Sequence, residues 1–342
     1  MKHKKLLLYS LLTFFIFAFA AGSTAYYLFF SKTFRLTDTT YIYIHPGDSI
    51  ETVCHQLSQQ AHPSTLTGIQ WLATFYDYDK HIRSGRYAVR PDDNAFKLIR
   101  RLASGQQTPV NLIIPSVRTI DKLSTAVSSR IMLDSATVAS ALTDSLTCAR
   151  LGYTPQTIAC LFIPNTYEVY WDMTLDQFLA RMTKEKDRFW NDERRQKAKD
   201  IGLTPEEVVT LASIVDEETA KNDEKPIIAG LYMNRLKRGM LLQADPTVKF
   251  ACGDFGLQRI LHKHLAVDSP YNTYLHAGLP PGPIRIPSIA GIESVLNYAR
   301  HDYLYMCAKE DFSGRHNFAA TLREHQNNAL RYQRELNRRK IY

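Results

Sequence analysis

Residues 6–30 carry no charged side chain, and only Tyr9, Ser10, Thr13, Gly22, Ser23, Thr24, Tyr26 and Tyr27 among them are partly polar. At ~1.5 Å rise per residue, a helix of about 25 residues is long enough to cross a hydrocarbon layer about 30 Å thick. A transmembrane helix is therefore predicted, with the whole remainder of the chain on one side. Lys2, Lys4 and Lys5 favour a cytoplasmic N-terminus, and Lys32 and Arg35 beyond the run make the asymmetry small. Tyr26, Tyr27, Phe29 and Phe30 suit the far interface. The alternative is a cleaved signal peptide with Ala18-Phe19-Ala20 as its cleavage site, but the apolar run continues about ten residues past it.

The 342 residues, 45% apolar and 22% charged, exclude collagen, coiled coil and wholesale disorder. A net charge of +8 favours anionic partners. It does not choose among membrane headgroups, nucleic acid and acidic polymer. No P-loop, G-x-G-x-x-G, zinc-finger spacing or RNA-binding signature occurs, so nucleic acid is not expected. Cys54, Cys148, Cys160, Cys252 and Cys307 are scattered and odd in number, which predicts reduced, mostly buried thiols rather than a disulfide framework. His262 and His264, with only Asp268 nearby, are too few for a metal site; no metal and no cofactor are expected.

Between about 41 and 130 a strand, turn, N-cap and amphipathic helix recur three times. The strands are Tyr41-Ile42-Tyr43-Ile44, Tyr87-Ala88-Val89 and Leu112-Ile113-Ile114, and the caps are Ser49, Asn94 and Thr119. The first copy, with Pro46-Gly47-Asp48-Ser49-Ile50, resembles the LysM module, which binds N-acetylglucosamine-containing glycans. Residues 174–200 read as one charged, solvated helix opened by a capping box of Thr174 and Gln177 and stopped near Gly202.

The next helix starts cleanly: Thr204 as N-cap, Pro205 in the first turn and Glu207 closing the capping box. At about 100° per residue Val208, Leu211, Ala212, Val215 and Thr219 form a buried stripe, Glu217 faces outward, and Asp216 and Glu218 fall about 80° to either side. Periodicity nominates both shoulder carboxylates as semi-buried without choosing between them. A carboxyl held against an apolar wall has its pKa raised, the condition for a general acid near neutral pH. Downstream, residues 243–247, 269–274, 278–284 and 314–318 read as polar turns and loops dense in Tyr, Asn, Thr and Gln. Such groups suit a pyranose ring.

Ala212-Ser213-Ile214-Val215-Asp216-Glu217-Glu218-Thr219, Asn234-Arg235-Leu236, Gln243-Ala244-Asp245-Pro246-Thr247-Val248, Tyr271-Asn272-Thr273-Tyr274, Gly278-Leu279-Pro280-Pro281-Gly282-Pro283-Ile284 and Tyr303-Leu304-Tyr305 together resemble the MltG/YceG-like endolytic murein transglycosylases. The resemblance implies a single-pass inner-membrane enzyme with its catalytic domain outside the cytoplasm, cutting nascent peptidoglycan strands and so terminating their elongation. It implies Glu218 as the catalytic residue. Gln243, Asp245, Tyr271, Asn272, Tyr274 and His316 are then expected at the substrate, with Asp216 and Thr219 supporting. The expected partners are peptidoglycan glycan strands, cell-wall synthases and the inner membrane.

The expected fold is α+β: anchor in 1–35, LysM-like βα region in 36–130 and a mixed α/β catalytic domain in 131–342. Three departures stand out: Asp216 where the family usually has Glu, Asn165 in Pro164-Asn165-Thr166-Tyr167 where it has Asp, and Ser288 after Pro287 where it has Gly. A non-catalytic, membrane-anchored peptidoglycan-binding or scaffolding protein and an ordinary hydrolase of the same strands are the rival readings. The tail from 322, with Arg323, Arg331, Arg334, Arg338, Arg339 and Lys340, reads as an amphipathic basic helix.

Overall fold

The computed structural model describes residues 2–257 and 260–339. The chain forms two compact units, one of Met1–Asn111, Arg130–Met132 and Glu168–Met173, the other of Leu112–Ser129, Leu133–Tyr167 and Thr174–Tyr342.

The first unit opens with helix α1 (Lys2–Phe29). Its segment Lys4–Phe29 is long and apolar enough to cross a membrane, and its most apolar stretch is not buried. Strand β1 (Thr40–Ile44), helices α2 (Ile50–Gln60) and α3 (Thr67–Phe75), strand β2 (Gly85–Val89) and helix α4 (Ala95–Ser104) follow. The two strands pair antiparallel with Ile42 opposite Tyr87. Period-two alternation turns Ile42 and Ile44 inward onto Val53, Leu57, Ile69, Leu98 and Leu102, all fully buried. Ser49 and Asn94 cap α2 and α4 as expected, their side chains accepting from the Thr52 and Lys97 amides.

The third copy of the repeat also forms, as β3 (Val110–Ile114) and α5 (Ile120–Ser128) capped by Thr119. Its strand pairs differently: helices α6 (Ser135–Thr143) and α7 (Ser145–Arg150) intervene, and β3 joins β4 (Asn165–Val169). The helix expected over 174–200 is two. Helix α8 (Leu175–Phe189) begins at the Thr174–Gln177 capping box, and α9 (Asp192–Asp200) restarts on its own N-cap, Asn191, whose side chain accepts from the Arg194 amide. Asn is among the strongest N-cap residues, so a second start follows directly from it.

Helix α10 (Pro205–Glu218) carries the predicted cap: Thr204 accepts from the Glu207 amide and Glu207 reaches back to the Thr204 amide. Thr204→Ala should lower the stability of the fold by ~1 kcal/mol in chemical denaturation, because it leaves a first-turn amide without a partner. The single buried stripe is corrected. Every residue from Val208 to Val215 is buried, Thr210 and Ser213 included, because α10 is packed by α11 (Lys225–Lys237), α12 (Asp245–Cys252) and α14 (Ile289–Leu296), with α13 (His262–Leu265) lying between the last two in sequence. The two hydroxyls are satisfied locally, donating to the carbonyls of Glu206 and Thr210.

Two regions expected as loops or turns are ordered elements. Asp245 opens α12, and His316 opens strand β6 (His316–Ala319), which pairs antiparallel with β5 (Tyr305–Ala308). The tail helix, α15 (Leu322–Arg338), packs on this hairpin and is capped by Thr321 with Glu324; Lys340 lies outside the described residues. All five thiols are free. Cys54, Cys148 and Cys160 are buried, whereas Cys252 and Cys307 are partly exposed.

Candidate active site

The C-terminal end of α10 presents three consecutive carboxylates in three directions. At about 100° per residue neighbours cannot share a partner, so each is held by a different part of the unit.

Asp216 turns toward α14. Its carboxylate takes the Lys225 ammonium at 2.9 Å and accepts from the Ser288 amide at 2.5 Å and the Ser288 hydroxyl at 3.1 Å. Ser288 in turn caps α14 by accepting from the Gly291 amide. A Cβ at Gly291 would lie 2.5 Å from the Asp216 carboxylate, so only glycine leaves room there. Two of the departures from the family pattern thus meet: the shorter Asp216 and the hydroxyl-bearing Ser288 are hydrogen-bonded to each other. Asp216 fixes the 288–291 turn and lies away from the cleft described below. Asn165, the remaining departure, is exposed at the start of β4 and accepts from the Thr166 amide.

Glu217 does not face open solvent as the helical phase suggested. Arg118 grips it through two bonds of 2.7 and 2.6 Å, and Arg285 adds a third at 3.0 Å. The correction has the same cause as the lost stripe: α10 is enclosed on this side too, and a carboxylate there requires cations.

Glu218, the last residue of α10, enters an open cleft of about 260 Å³. Its walls come from α11 (Leu231, Tyr232, Arg235), the 242–245 turn, Tyr274, and the β5–β6 hairpin through Met306, Cys307, Ala308 and His316. The Tyr232 hydroxyl donates to Glu218 Oε1 at 2.6 Å. Burial strips water from the charged form and pushes the Glu218 carboxyl up to about 7, with the negative charges of Asp245 and Glu217 adding to the rise and the Tyr232 hydrogen bond and Lys249 opposing it. The Tyr232 hydroxyl is itself pushed well above its ordinary value, first by burial and then by Glu218, so it stays a donor.

The residues expected at the substrate divide. Gln243, Asp245, Tyr274 and His316 line the cleft with Glu218. Gln243 sits in the left-handed region at φ 50° and accepts from Arg235 at 3.3 Å, while Arg235 also donates to the carbonyls of Leu241, Leu242 and Leu304. One buried guanidinium thereby ties the 241–243 turn to the chain just before β5. Tyr274 donates to Asp245 at 2.6 Å.

Asn272 and Tyr271 lie elsewhere. Asn272 is fully buried, donating to the carbonyls of Leu265 and Val267 and accepting from the Tyr274 amide, so it shapes the turn that delivers Tyr274. Tyr271 packs on Phe250, 4.6 Å between ring centroids, and faces a separate, mainly apolar cavity of about 340 Å³.

Thr219 caps α10 and is buried. Its hydroxyl donates to Glu224 Oε2, and Glu224 also accepts from the His316 amide at 2.9 Å and faces His316 Nδ1 at 3.3 Å. Thr219 and His316 are therefore joined through one buried carboxylate. Glu224 and Tyr232 are absent from the sequence expectations. Tyr232 adjoins the quoted Asn234-Arg235 block and could have been read as one turn of the same helix aimed at the same cleft. Glu224, near the N-terminal end of α11, carried no such signal.

This arrangement holds a carboxyl whose pKa is raised to about 7 at the edge of an open groove, with hydroxyl, amide and imidazole groups around it. A family model described as the YceG-like family matches residues 42–331. The chain belongs to the YceG-like family. Proteins named endolytic murein transglycosylase are similar to it. That of Bacillus subtilis (strain 168) is 36% identical over 154 residues, 45% of this chain and 42% of that protein. That of Streptococcus pneumoniae (strain ATCC BAA-255 / R6) is 37% identical over 153 residues, 42% of this chain and 27% of the relative. The chain thus spans less than half the length of the curated relatives it matches. The crystal structure of a yceG-like protein from Listeria monocytogenes superposes with a TM-score of 0.55 at 27% identity, covering 85% of this chain and 99% of that one.

Proposed function

We propose that this YceG-like chain is an endolytic murein transglycosylase, cleaving the MurNAc-GlcNAc β-1,4 bond of glycan strands and leaving 1,6-anhydro-MurNAc ends. The observation that carries this reading is the Glu218 carboxyl, held in an open cleft with its pKa at about 7 by burial. A group balanced there can give a proton and take one back at physiological pH. Protonated Glu218 delivers its proton to the leaving GlcNAc oxygen as the C1–O bond breaks. The C6 hydroxyl of the same MurNAc then attacks C1, and the Glu218 carboxylate accepts the hydroxyl proton. One bond forms, one breaks, no water enters, and the acid is regenerated. Tyr232 orients the carboxyl, while Gln243, Asp245, Tyr274 and His316 contact the sugars.

Asp245 gives a second reading its footing. It lines the same cleft and its charge raises the Glu218 pKa, so the pair could act as acid and base of a hydrolase. Mass spectrometry of un-crosslinked glycan strands digested with the purified protein separates these readings: anhydro ends are the expected product. Reducing ends would assign a hydrolase, and intact strands a binding or scaffolding protein.

The relatives' names support peptidoglycan as substrate here. The division proposed is an anchor in 1–35 with its N-terminus in the cytoplasm, a glycan-holding, LysM-like region within 36–130, and chemistry in 131–342 on the outer side of a bacterial inner membrane. Cell-wall synthases, which supply the nascent strand, are the proposed partners.

A further inference from the structure

Helix α3 is apolar on two faces. Ile69, Leu72 and Ala73 turn into the core of the first unit, whereas Trp71, Phe75 and the adjoining Tyr76 stay 58%, 66% and 46% exposed. The exposed rings belong to a closed circuit around the end of α1. Phe29 meets Trp71 at 5.3 Å, Trp71 stacks on Phe75 at 5.7 Å and 8°, and Phe75 meets Tyr76 at 5.3 Å. Tyr76 meets Phe96 at 6.5 Å, Phe96 meets Phe30 at 5.5 Å, and Phe30 returns to Phe29 at 6.5 Å.

The α1 end is fixed against α3. A Cβ on Gly68 would lie 2.1 Å from the Leu28 carbonyl oxygen, and the Asn94 side chain donates to the Phe30 carbonyl at 3.1 Å. Counted from Leu6, about 20 helical residues traverse a hydrocarbon layer of about 30 Å and end near Ala25, so Leu28, Phe29 and whatever packs on them lie at headgroup depth. Trp and Tyr favour that depth because an apolar ring and a polar edge are both satisfied there. Lys32, just past α1, and Arg100, one turn beyond Phe96, are exposed and make no ion pair among the described residues, which leaves them for anionic headgroups.

We propose that the aromatic face of Trp71, Phe75 and Tyr76 is a second membrane contact, immersed in the interfacial layer of the bilayer that α1 crosses. It seats the first unit on the lipid surface instead of leaving it free on a tether. This rests on the reading of α1 as a span.

The test uses the full chain in vesicles of phosphatidylcholine and phosphatidylglycerol with brominated acyl chains. The chain has three tryptophans, so quenching of about one-third of the emission is expected, and Trp71→Phe, a change at an exposed ring, should abolish it. Equal quenching in wild type and Trp71→Phe, or Trp71 emission that aqueous acrylamide quenches freely, overturns the proposal. Trp71 shielded from both quenchers would mean a second copy or another protein covers the face. A Trp71 emission shift with N-acetylglucosamine oligomers and none with bromolipid would mean a glycan does. Either result also overturns it. Release of the protein by alkaline carbonate would sink the span itself, whereas protein retained with unquenched Trp71 sinks only this second contact.

Discussion

Replacing Glu218 with glutamine is expected to lower the release of anhydro-ended strands by about 10²–10⁴-fold or more, the contribution of a general acid and base lost together. The substitution is nearly isosteric. An amide oxygen can still accept the Tyr232 hydrogen bond, so the cleft keeps its shape and the loss reports on the proton. In wild type, activity should fall about tenfold per pH unit above about 7, because the first step needs the protonated acid whose folded pKa lies there. Product analysis by mass spectrometry across a pH series checks both. Anhydro ends formed at the wild-type rate by the variant would remove Glu218 from the chemistry.

The same residue has an opposite effect on stability. Its carboxyl is raised in the folded state from 4.5 to about 7, so the folded protein binds a proton that the unfolded chain has released between those values. Stability conferred by the neutral acid is complete below about 4.5 and declines as pH rises toward 7. Glutamine does not titrate. In chemical denaturation Glu218→Gln should therefore match wild type in acid and exceed it by roughly 3 kcal/mol above pH 7, the rise from 4.5 to about 7 at about 1.4 kcal/mol per pH unit, an inactive but firmer protein.

The second large effect concerns the buried pair behind the site. Lys225 and Asp216 have side chains only 8% and 4% exposed. Lys225→Met leaves the Asp216 carboxylate without its cation and should destabilise by about 3–5 kcal/mol. Asp216→Asn in the same chain should restore most of that, since removing both charges costs far less than stranding one. Thermal unfolding of the wild type, the single and the double variants gives the comparison. A single variant within about 1 kcal/mol of wild type would mean that solvent reaches the pair.

What could be read from sequence followed local rules. The caps at Ser49, Asn94, Thr119, Thr174 and Thr204 depend on one side chain and an amide three residues on, and the structure carries each of them. The apolar run of α1 is equally local. What escaped required a distant partner. The phase of α10 assumed one dry face and missed the enclosure that brings Arg118 and Arg285 onto Glu217. The pairing of β3 with β4 instead of with its repeat neighbours is not written in any strand's own alternation. At the candidate site, the helical phase nominates Asp216 and Glu218 alike as semi-buried carboxyls and only the family resemblance singles out Glu218, whose carboxyl the structure raises to about 7. Tyr232 and Glu224 are not legible in the sequence, because their roles arise where α11 crosses the end of α10 and meets β6. Asn272 shows the converse: a residue type suited to binding sugars is consumed by the backbone of its own turn.

The position of Glu218 at the final residue of α10 also gives chain direction a chemical meaning. The aligned peptide dipoles of a helix leave a partial negative charge at its C-terminal end, equivalent to about half an electron. A carboxylate there is repelled by its own helix, so the dipole favours retention of the proton. At the opposite end, beside Thr204, the same side chain would have met free amides and a positive pole and would have stayed ionised. The polarity of a single segment thus helps decide whether this group behaves as an acid at all.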